Sequence, residues 1–158
     1  MKAKALTSAL AATAMSLAMT SVSSADSEKI EDAIDYRQSV FTAIGYHFSP
    51  MSDMLRGEIE FDAERFDHHA NRVSELADMP WEGFIDESYD GQHGFKTTAS
   101  AKIADDRGHF NEIANELVTT ASDLEAASAN DADMRTLAGL LSKVGSSCKS
   151  CHDDYRNK

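Results

Sequence analysis

The residues best suited to chemistry lie close together near the C-terminus of this 158-residue chain. Its only two cysteines are Cys148 and Cys151, and His152 follows the second one directly. On a helix, positions three and four apart share a face, so these side chains can project to the same side. Two thiols and an imidazole in this arrangement suit thiol–disulfide exchange, zinc binding or the covalent attachment of haem.

The surrounding sequence distinguishes these three kinds of chemistry. Thiol oxidoreductases place the cysteine pair at the N-terminus of a helix that follows a strand, where the helix dipole lowers the thiol pKa. Here the pair comes late in a helical pattern, and no second ligand pair of zinc-site spacing is present. Haem c needs two cysteines for its vinyl groups and a histidine under the iron. The motif therefore predicts haem c attached through Cys148 and Cys151, with His152 as the metal ligand.

The N-terminal segment indicates export. Lys2 and Lys4 precede an alanine-rich apolar run, which ends in small residues at the positions that a signal peptidase reads. The run is shorter than the roughly 20 residues needed to span a bilayer. We therefore expect a signal peptide over residues 1–25, cleaved after Ala25, and one periplasmic domain over residues 26–158.

The net charge of the chain limits the classes of partner that it can bind. The formal net charge is −12, and removal of the two lysines of the signal peptide would make it two units more negative. Such a surface repels nucleic acid and anionic membranes, and it favours solubility and basic partners. We expect neither a nucleic acid nor a membrane as partner.

Apolar spacing predicts helices almost throughout. In the first segment of the mature chain, side chains recur at steps of three and four, as on one stripe of a helix. These are Ile30, Ile34, Arg37, Phe41, Ile44, Phe48 and Met51. Pro50 should kink this helix or shorten its last turns, because proline removes a backbone donor.

Three further helices are expected. The second begins after Asp62, a suitable N-cap, and ends before Pro80. After a long connection from Pro80 to about Lys96, a third helix carries the apolar positions between Ile103 and Leu124. The last begins near Asn130, with Asp133 placed to cap it. The pattern predicts an all-α protein, an antiparallel up-down-up-down four-helix bundle.

With these features the chain resembles the cytochrome c′ family. The resemblance rests on "CKSCHDDYR" at the end of an exported four-helix chain, on "YRQSVF" at Tyr36 to Phe41, and on "MPWEGF" before the long connection. It covers essentially the whole mature chain. It implies a four-helix bundle with one covalent haem c per chain.

The resemblance also implies roles for single residues. Cys148 and Cys151 would carry the thioethers, and His152 would be the only protein ligand to the iron. Arg156, one turn beyond His152, would lie beside the proximal face. Arg37 would reach the haem propionates.

The position of Phe41 decides which function the resemblance favours. Relatives with methionine four residues after the first-helix arginine have a filled sixth position and look like electron carriers. Phe41 occupies that place and has no lone pair to give, which favours a five-coordinate iron open to small gases. Because an apolar lid gives no hydrogen bond to O₂, we expect NO or CO as ligand, in NO binding or detoxification.

Several alternatives stay open at the level of sequence. A periplasmic one-electron carrier with a redox partner is the second hypothesis, whereas an enzyme is not expected. The resemblance suggests a homodimer through the first two helices, whose faces carry spare apolar residues such as Ala43, Leu55 and Ile59. The adjacent His68 and His69 are interpreted as a surface pair rather than a metal site.

Overall fold

The chain is described by a computed structural model over residues 24–92 and 94–158, so most of the predicted signal peptide lies outside the described residues. Five α-helices and one 3₁₀ helix make up this part of the chain. The helices are α1 Ser24–Arg56, α2 Ala63–Leu76, α3 Lys102–Asp105, α4 Arg107–Ala129 and α5 Met134–Tyr155, and the 3₁₀ helix is Met79–Gly83. Within these ranges the only β-type pairing is one isolated bridge between Ala99 and Arg156.

The four long helices form the predicted bundle. α1 packs on α2 and on the 3₁₀ helix, α2 packs on α4, and α4 packs on α5. Between α1 and α5 the direct contacts are sparser than at the other three sides of the bundle. The prediction of an all-α four-helix bundle is confirmed. The most loosely packed side of the bundle lies between α1 and α5, the helix that carries the cysteines.

The predicted caps are present at two helix starts. The carboxylate of Asp62 accepts a hydrogen bond from the backbone N–H of Arg65, at 3.0 Å. The carboxylate of Asp133 accepts a hydrogen bond from the backbone N–H of Thr136, at 2.9 Å. α5 begins at Met134, directly after this cap and four residues later than the expected start near Asn130. Each carboxylate satisfies one of the backbone donors that a helix start leaves without a partner.

Pro50 does not shorten α1, which continues to Arg56. A proline within a helix costs about 3 kcal/mol. Beyond it, however, Met51 and Met54 are completely buried in the core. Burying two such side chains contributes about 1.5–3 kcal/mol each, which offsets the cost of the proline.

The predicted third helix is divided in two. Asp106, with φ −121° and ψ 34°, leaves the helical conformation between α3 and α4. Its carboxylate oxygen Oδ2 accepts a hydrogen bond from the hydroxyl of Tyr155, at 2.8 Å. The break therefore coincides with a contact to the last turn of α5, which no local pattern could indicate.

Two clusters of buried apolar side chains form the core. The larger core cluster joins the four long helices, with members such as Ile44, Met51, Val73 and Val144. The smaller core cluster lies at one end of the bundle and consists of Phe84, Tyr89, Ile103, Phe110, Ile113 and Tyr155. Phe41 and Trp81 are partly buried and pack against both clusters. These two rings therefore mark the boundary between the clusters.

The long connection after the 3₁₀ helix supports the end of α5. The backbone N–H of Ser100 donates to the carbonyl of Tyr155, and the N–H of Asn157 donates to the carbonyl of Thr98, both at 2.8 Å. The side-chain amide of Asn157 also donates to a carboxylate oxygen of Asp90, at 2.9 Å. These bonds hold the connection against the C-terminal turn, next to the cysteine motif.

Candidate haem site

The two cysteines lie at the boundary between the two core clusters. Cys148 packs against the larger core cluster, whereas Cys151 packs against the smaller one, and both are half-buried. One turn earlier on α5, a Cβ added to Gly145 would lie 3.5 Å from Cζ of Phe48 on α1. This end of α5 therefore faces α1 across the loosely packed side of the bundle.

The cysteines have the chemistry of buried thiols. Burial raises the pKa of Cys148, and burial together with Cys148 and Asp154 raises the pKa of Cys151 to about 11. A catalytic thiol needs the opposite, a lowered pKa that makes it a thiolate near neutral pH. Both are free of disulfides. The environment thus disfavours an oxidoreductase pair.

A structural zinc site is disfavoured by the donor set. Among the residues that the structure describes, one group of three or more potential metal ligands converges, and it contains neither cysteine. A closed zinc site would need four such ligands around the thiols. Two thiols and one imidazole therefore remain as the set that a covalent haem requires.

His152 directly follows Cys151 in α5; the residue as a whole is exposed, while its imidazole is partly shielded from water. Partial burial, followed by the nearby charge of Arg156, lowers the pKa of its imidazole, while Asp153 acts in the opposite direction. A lowered pKa keeps the ring neutral at neutral pH, and neutral imidazole is the form that binds a metal ion. The side chain is thus available and in the protonation state that an iron ligand needs.

Arg156 lies just beyond the helix rather than within it. α5 ends at Tyr155, and the backbone of Arg156 is extended, with φ −111° and ψ 117°. It forms the isolated bridge with Ala99. The predicted position one helical turn beyond His152 needs this correction, although the guanidinium is close enough to lower the pKa of that imidazole.

Phe41 belongs to a group of packed aromatic rings. Its centroid lies 5.6 Å from that of Trp81 and 6.2 Å from that of Phe84, in edge-to-face geometry. Trp81 in turn lies 5.7 Å from Phe110. The indole N–H of Trp81 already donates to the carbonyl of Ala77, at 2.8 Å. The rings therefore present carbon surfaces, with no indole donor to spare.

Arg37 is buried on α1 and binds the long connection. Its Nη1 donates to the carbonyl of Gly83 and to the hydroxyl of Ser88, both at 2.7 Å. Its Nη2 donates to the Ser88 carbonyl at 2.5 Å and to Oγ1 of Thr97 at 2.9 Å. The guanidinium also lies 4.5 Å from the ring centroid of Phe84. Sequence reasoning found the arginine but missed these partners, because they follow it by 46 to 60 positions.

Arg37 is a buried cation whose hydrogen-bond partners carry no opposite charge. Within the described residues, its four hydrogen bonds go to neutral oxygens. Burial lowers its pKa to about 10, so it remains a cation at neutral pH. A buried cation is costly without an anion nearby. A carboxylate such as a haem propionate would supply that missing charge.

These features fit a covalently held haem. Two unactivated thiols lie at the boundary of the core, a neutral imidazole follows them, and aromatic rings and a buried cation lie at the same end of the bundle. Cys148 and Cys151 would hold the ring and His152 would bind the iron. The fold and the site thus define a four-helix-bundle protein of the c-type haem class.

Comparison with known proteins identifies the family. The family described as Cytochrome C′ matches residues 32–156. A cytochrome c′ of Halomonas halodenitrificans is 39% identical over 127 residues, which are 80% of this chain and 96% of that protein. The solved cytochrome c prime of Shewanella frigidimarina superposes with a TM-score of 0.76 at 36% identity, covering 82% of this chain and 97% of the other. The chain belongs to the cytochrome c′ family and, as a member of it, carries covalently bound haem c.

One similar solved structure contains a bound gas. The nitric oxide complex of a mutant of cytochrome c prime from Alcaligenes xylosoxidans has a TM-score of 0.73 at 29% identity. The match covers 82% of this chain and 97% of that one. Nitric oxide is thus a ligand of that similar protein.

Proposed function

We propose that this chain binds NO and CO through a five-coordinate haem iron, in periplasmic NO binding or detoxification. The observation that carries the proposal is the contact of Phe41 with Trp81 and Phe84. None of these three side chains has a nitrogen or sulfur lone pair that could bind iron. Bound haem c supplies an iron that can take a diatomic gas in its sixth position.

The aromatic rings favour particular gases. Bound O₂ is stabilised by a hydrogen-bond donor in the distal pocket. The indole N–H of Trp81 is used by Ala77, and Phe41 and Phe84 have no donor. Phe41 and its neighbours would keep water out and admit small neutral molecules. This environment suits NO and CO better than O₂.

The same surroundings support a binding protein rather than an enzyme. A haem peroxidase needs a distal base to move the protons of the peroxide during cleavage of its O–O bond. Phe41, Trp81 and Phe84 contain no such group. We therefore propose no catalytic residues and expect no peroxidase turnover above that of haem alone.

The absorption spectrum of holoprotein made in a host that attaches c-type haem tests this proposal. Broad high-spin bands, together with a shift of the ferrous spectrum upon addition of CO or NO, are expected. Sharp low-spin bands that do not respond to CO would overturn it and favour the periplasmic electron carrier with a redox partner.

Export is part of the proposal. In the part of the chain that the structure describes, no helix has the length and apolar character needed to cross a membrane. Separately, the sequence of residues 1–25 leads us to propose a periplasmic protein released by cleavage after Ala25. N-terminal sequencing of the protein from a periplasmic fraction should give Asp26 as the first residue, whereas an intact N-terminus would contradict the signal peptide.

We also propose that the protein is a homodimer through α1 and α2. Tyr46 on α1 is 71% exposed, and Ala43 and Leu55 on the same helix are partly exposed. Ile59, 37% exposed, lies in the connection between the two helices rather than on either. Sedimentation at micromolar concentration and moderate salt should show a dimer, weakened at low salt by repulsion between acidic subunits. A monomer under both conditions would contradict this.

A further inference from the structure

Three histidines converge on the surface between α1 and α2, outside the cysteine motif. His47 lies on α1, and His68 and His69 are neighbours on α2. One ring nitrogen from each lies within 4.8 Å of the other two. Among the described residues this is the only such group of potential metal ligands. The interpretation of His68 and His69 as a surface pair is wrong for His69, which is only 8% exposed.

The packing of the two helices explains the convergence. Adjacent residues on a helix point about 100° apart, so His68 and His69 would not share a ligand on an isolated helix. The ring of His47 lies near both, with centroid separations of 6.0 Å to His68 and 5.2 Å to His69. The centroids of His68 and His69 are 5.5 Å apart. The α1 histidine thus completes a triangle of imidazoles.

The closest pair shows that the cluster is not built for charged rings. Nδ1 of His47 and Nδ1 of His69 are 2.9 Å apart, which requires one ring to donate and the other to accept. The accepting ring is therefore neutral. Burial lowers the pKa of both imidazoles; for His47 the charges of His68 and Arg72 add to this effect, and for His69 those of His47, His68 and Arg65 do. Neutral imidazole is the form that binds metal ions.

We propose that His47, His68 and His69 form a transition-metal site that binds one Zn²⁺ or Cu²⁺ ion per chain. Imidazole is a preferred ligand of both ions, and three histidines with an open fourth position are an established zinc geometry. Metal–nitrogen bonds of about 2.0–2.1 Å place the nitrogens roughly 3–4 Å apart. The three nitrogens lie within 4.8 Å of one another, so we expect the side chains to rotate when the ion binds. The charges of Arg72 and Arg65 act on His47 and His69; they oppose a dication electrostatically but favour an anion, such as hydroxide or chloride, in the fourth position.

The site is distinct from the haem site. His47 follows Phe41 by six residues, which is about 9 Å along α1. None of the three histidines belongs to the cysteine motif or to the aromatic rings around Phe41. Metal binding here therefore does not depend on which gas the haem takes, and each property can fail without the other.

Calorimetric titration of the untagged holoprotein with Zn²⁺ tests the proposal. One ion per chain is expected to bind with micromolar affinity and to raise the melting temperature, because the ion binds the folded state. His68→Ala, at an exposed position, should weaken binding at least tenfold without loss of fold, and His47→Gln should do the same. His109→Ala is the matched control, because His109 is exposed and lies near Glu112 and Asp154, as an unspecific surface site would.

Each result of the titrations either supports or overturns the three-histidine metal site. Binding that is weakened by the His68 and His47 variants and unchanged in the His109 variant supports the site. Absence of one-ion binding, equal affinity in His68→Ala, or equal weakening in His109→Ala would overturn it. With Cu²⁺ as a second probe, electron paramagnetic resonance should show splitting from imidazole nitrogens. A spectrum with oxygen ligands alone would count against the site.

Discussion

Gly83 lies directly against Arg37, and the absence of a side chain at position 83 permits this close approach. The carbonyl of Gly83 accepts a hydrogen bond from Nη1 of Arg37 at 2.7 Å. A Cβ on Gly83 would lie 2.8 Å from Cβ of Arg37 and 2.5 Å from the carbonyl oxygen of Ala33, both closer than van der Waals contact allows. The 3₁₀ helix therefore approaches α1 closely because residue 83 has no side chain, and this places its carbonyl on the guanidinium.

We expect Gly83→Ala to destabilise the protein by about 1–3 kcal/mol, as overpacking does in a rigid environment. Urea unfolding of the holoprotein measures this. Gly139→Ala is the control, because Gly139 is exposed in α5 and a Cβ there meets nothing within 4 Å. That variant should gain about 0.5–1 kcal/mol from helix propensity. A neutral Gly83→Ala would mean that the 3₁₀ helix moves freely away from α1.

Arg37→Lys should release the long connection. A lysine ammonium has three donors on a flexible stem and cannot reproduce the two-pronged geometry that reaches Gly83, Ser88 and Thr97. Because buried oxygens would lose their donors, a loss of about 2–4 kcal/mol is expected. Amide hydrogen exchange should accelerate in residues 84–100.

Gln38→Ala is the matched control for Arg37. The Gln38 side chain also reaches the connection, donating to the carbonyl of Lys96 at 3.0 Å, but in an exposed position. Its loss should cost less than about 1 kcal/mol. Equal effects of the two variants would mean that burial adds nothing to the Arg37 interaction.

Acid should remove the contribution of the Asp133 cap. The backbone hydrogen bond from Thr136 lowers the pKa of this carboxyl below its usual value. A lowered folded-state pKa stabilises the protein above the unfolded value, near 4, and this stabilisation is lost as the pH falls through the folded value. Asp133→Ala should therefore melt a few degrees lower at pH 7 and like the wild type in strong acid. Asp133→Asn keeps a capping oxygen and should therefore melt closer to the wild type at pH 7 than Asp133→Ala does. Equal losses in melting temperature in the two variants would mean that the charge of the carboxylate alone stabilises the helix start.

The cysteines test whether the fold needs its cofactor. Cys148→Ser with Cys151→Ser removes both attachment points, and we expect a loosely packed or degraded apoprotein, because the haem would fill the loosely packed side between α1 and α5. Covalent haem after denaturing electrophoresis and the thermal melting curve measure this. Ser150→Ala, an exposed change between the two cysteines, should retain both. A double variant that melts like the wild type would refute a structural role for haem.

Local signals in the sequence were sufficient for much of the fold and the site. The caps at Asp62 and Asp133 were predictable because a cap depends on residues within one turn, although the last helix was expected to begin near Asn130 and begins at Met134. The cysteine motif was predictable for the same reason, since its three side chains share one helical face. The period of the apolar side chains and the caps thus predicted four helices, and the cysteine motif predicted the residues that attach the haem.

Features that depend on distant residues were not predictable. Pro50 remains inside α1 because the methionines beyond it are buried by other helices. The break at Asp106 accompanies a hydrogen bond to Tyr155, 49 positions later. His47 meets His68 and His69 only because α1 and α2 pack together. In each case the outcome is decided by tertiary contacts that a single segment does not encode.

Phe41 provides the sharpest test of the proposed function. If its ring covers the distal side of the iron, it hinders every distal ligand without forming a bond. Phe41→Ala should therefore bind CO and NO faster and more tightly while the ligand-free iron stays high-spin. Phe41→Met should place a thioether one helical turn from Arg37, give a six-coordinate low-spin spectrum and weaken gas binding. Stopped-flow CO binding and the ferrous absorption spectrum measure both effects.

The opposite directions of the two substitutions separate a distal lid from a packing defect. A cavity at the boundary between the core clusters would lower stability in both variants, but it would not change the spin state in only one of them. Leu76→Ala is the control, because Leu76 is also half-buried and packs against the larger core cluster, but lies on α2 rather than on the side between α1 and α5. It should lose stability while its CO affinity stays within a factor of about two. If both Phe41 variants keep the wild-type spectrum and CO affinity, Phe41 is an ordinary core residue, and Ile44 or Trp81 becomes the next candidate for the lid.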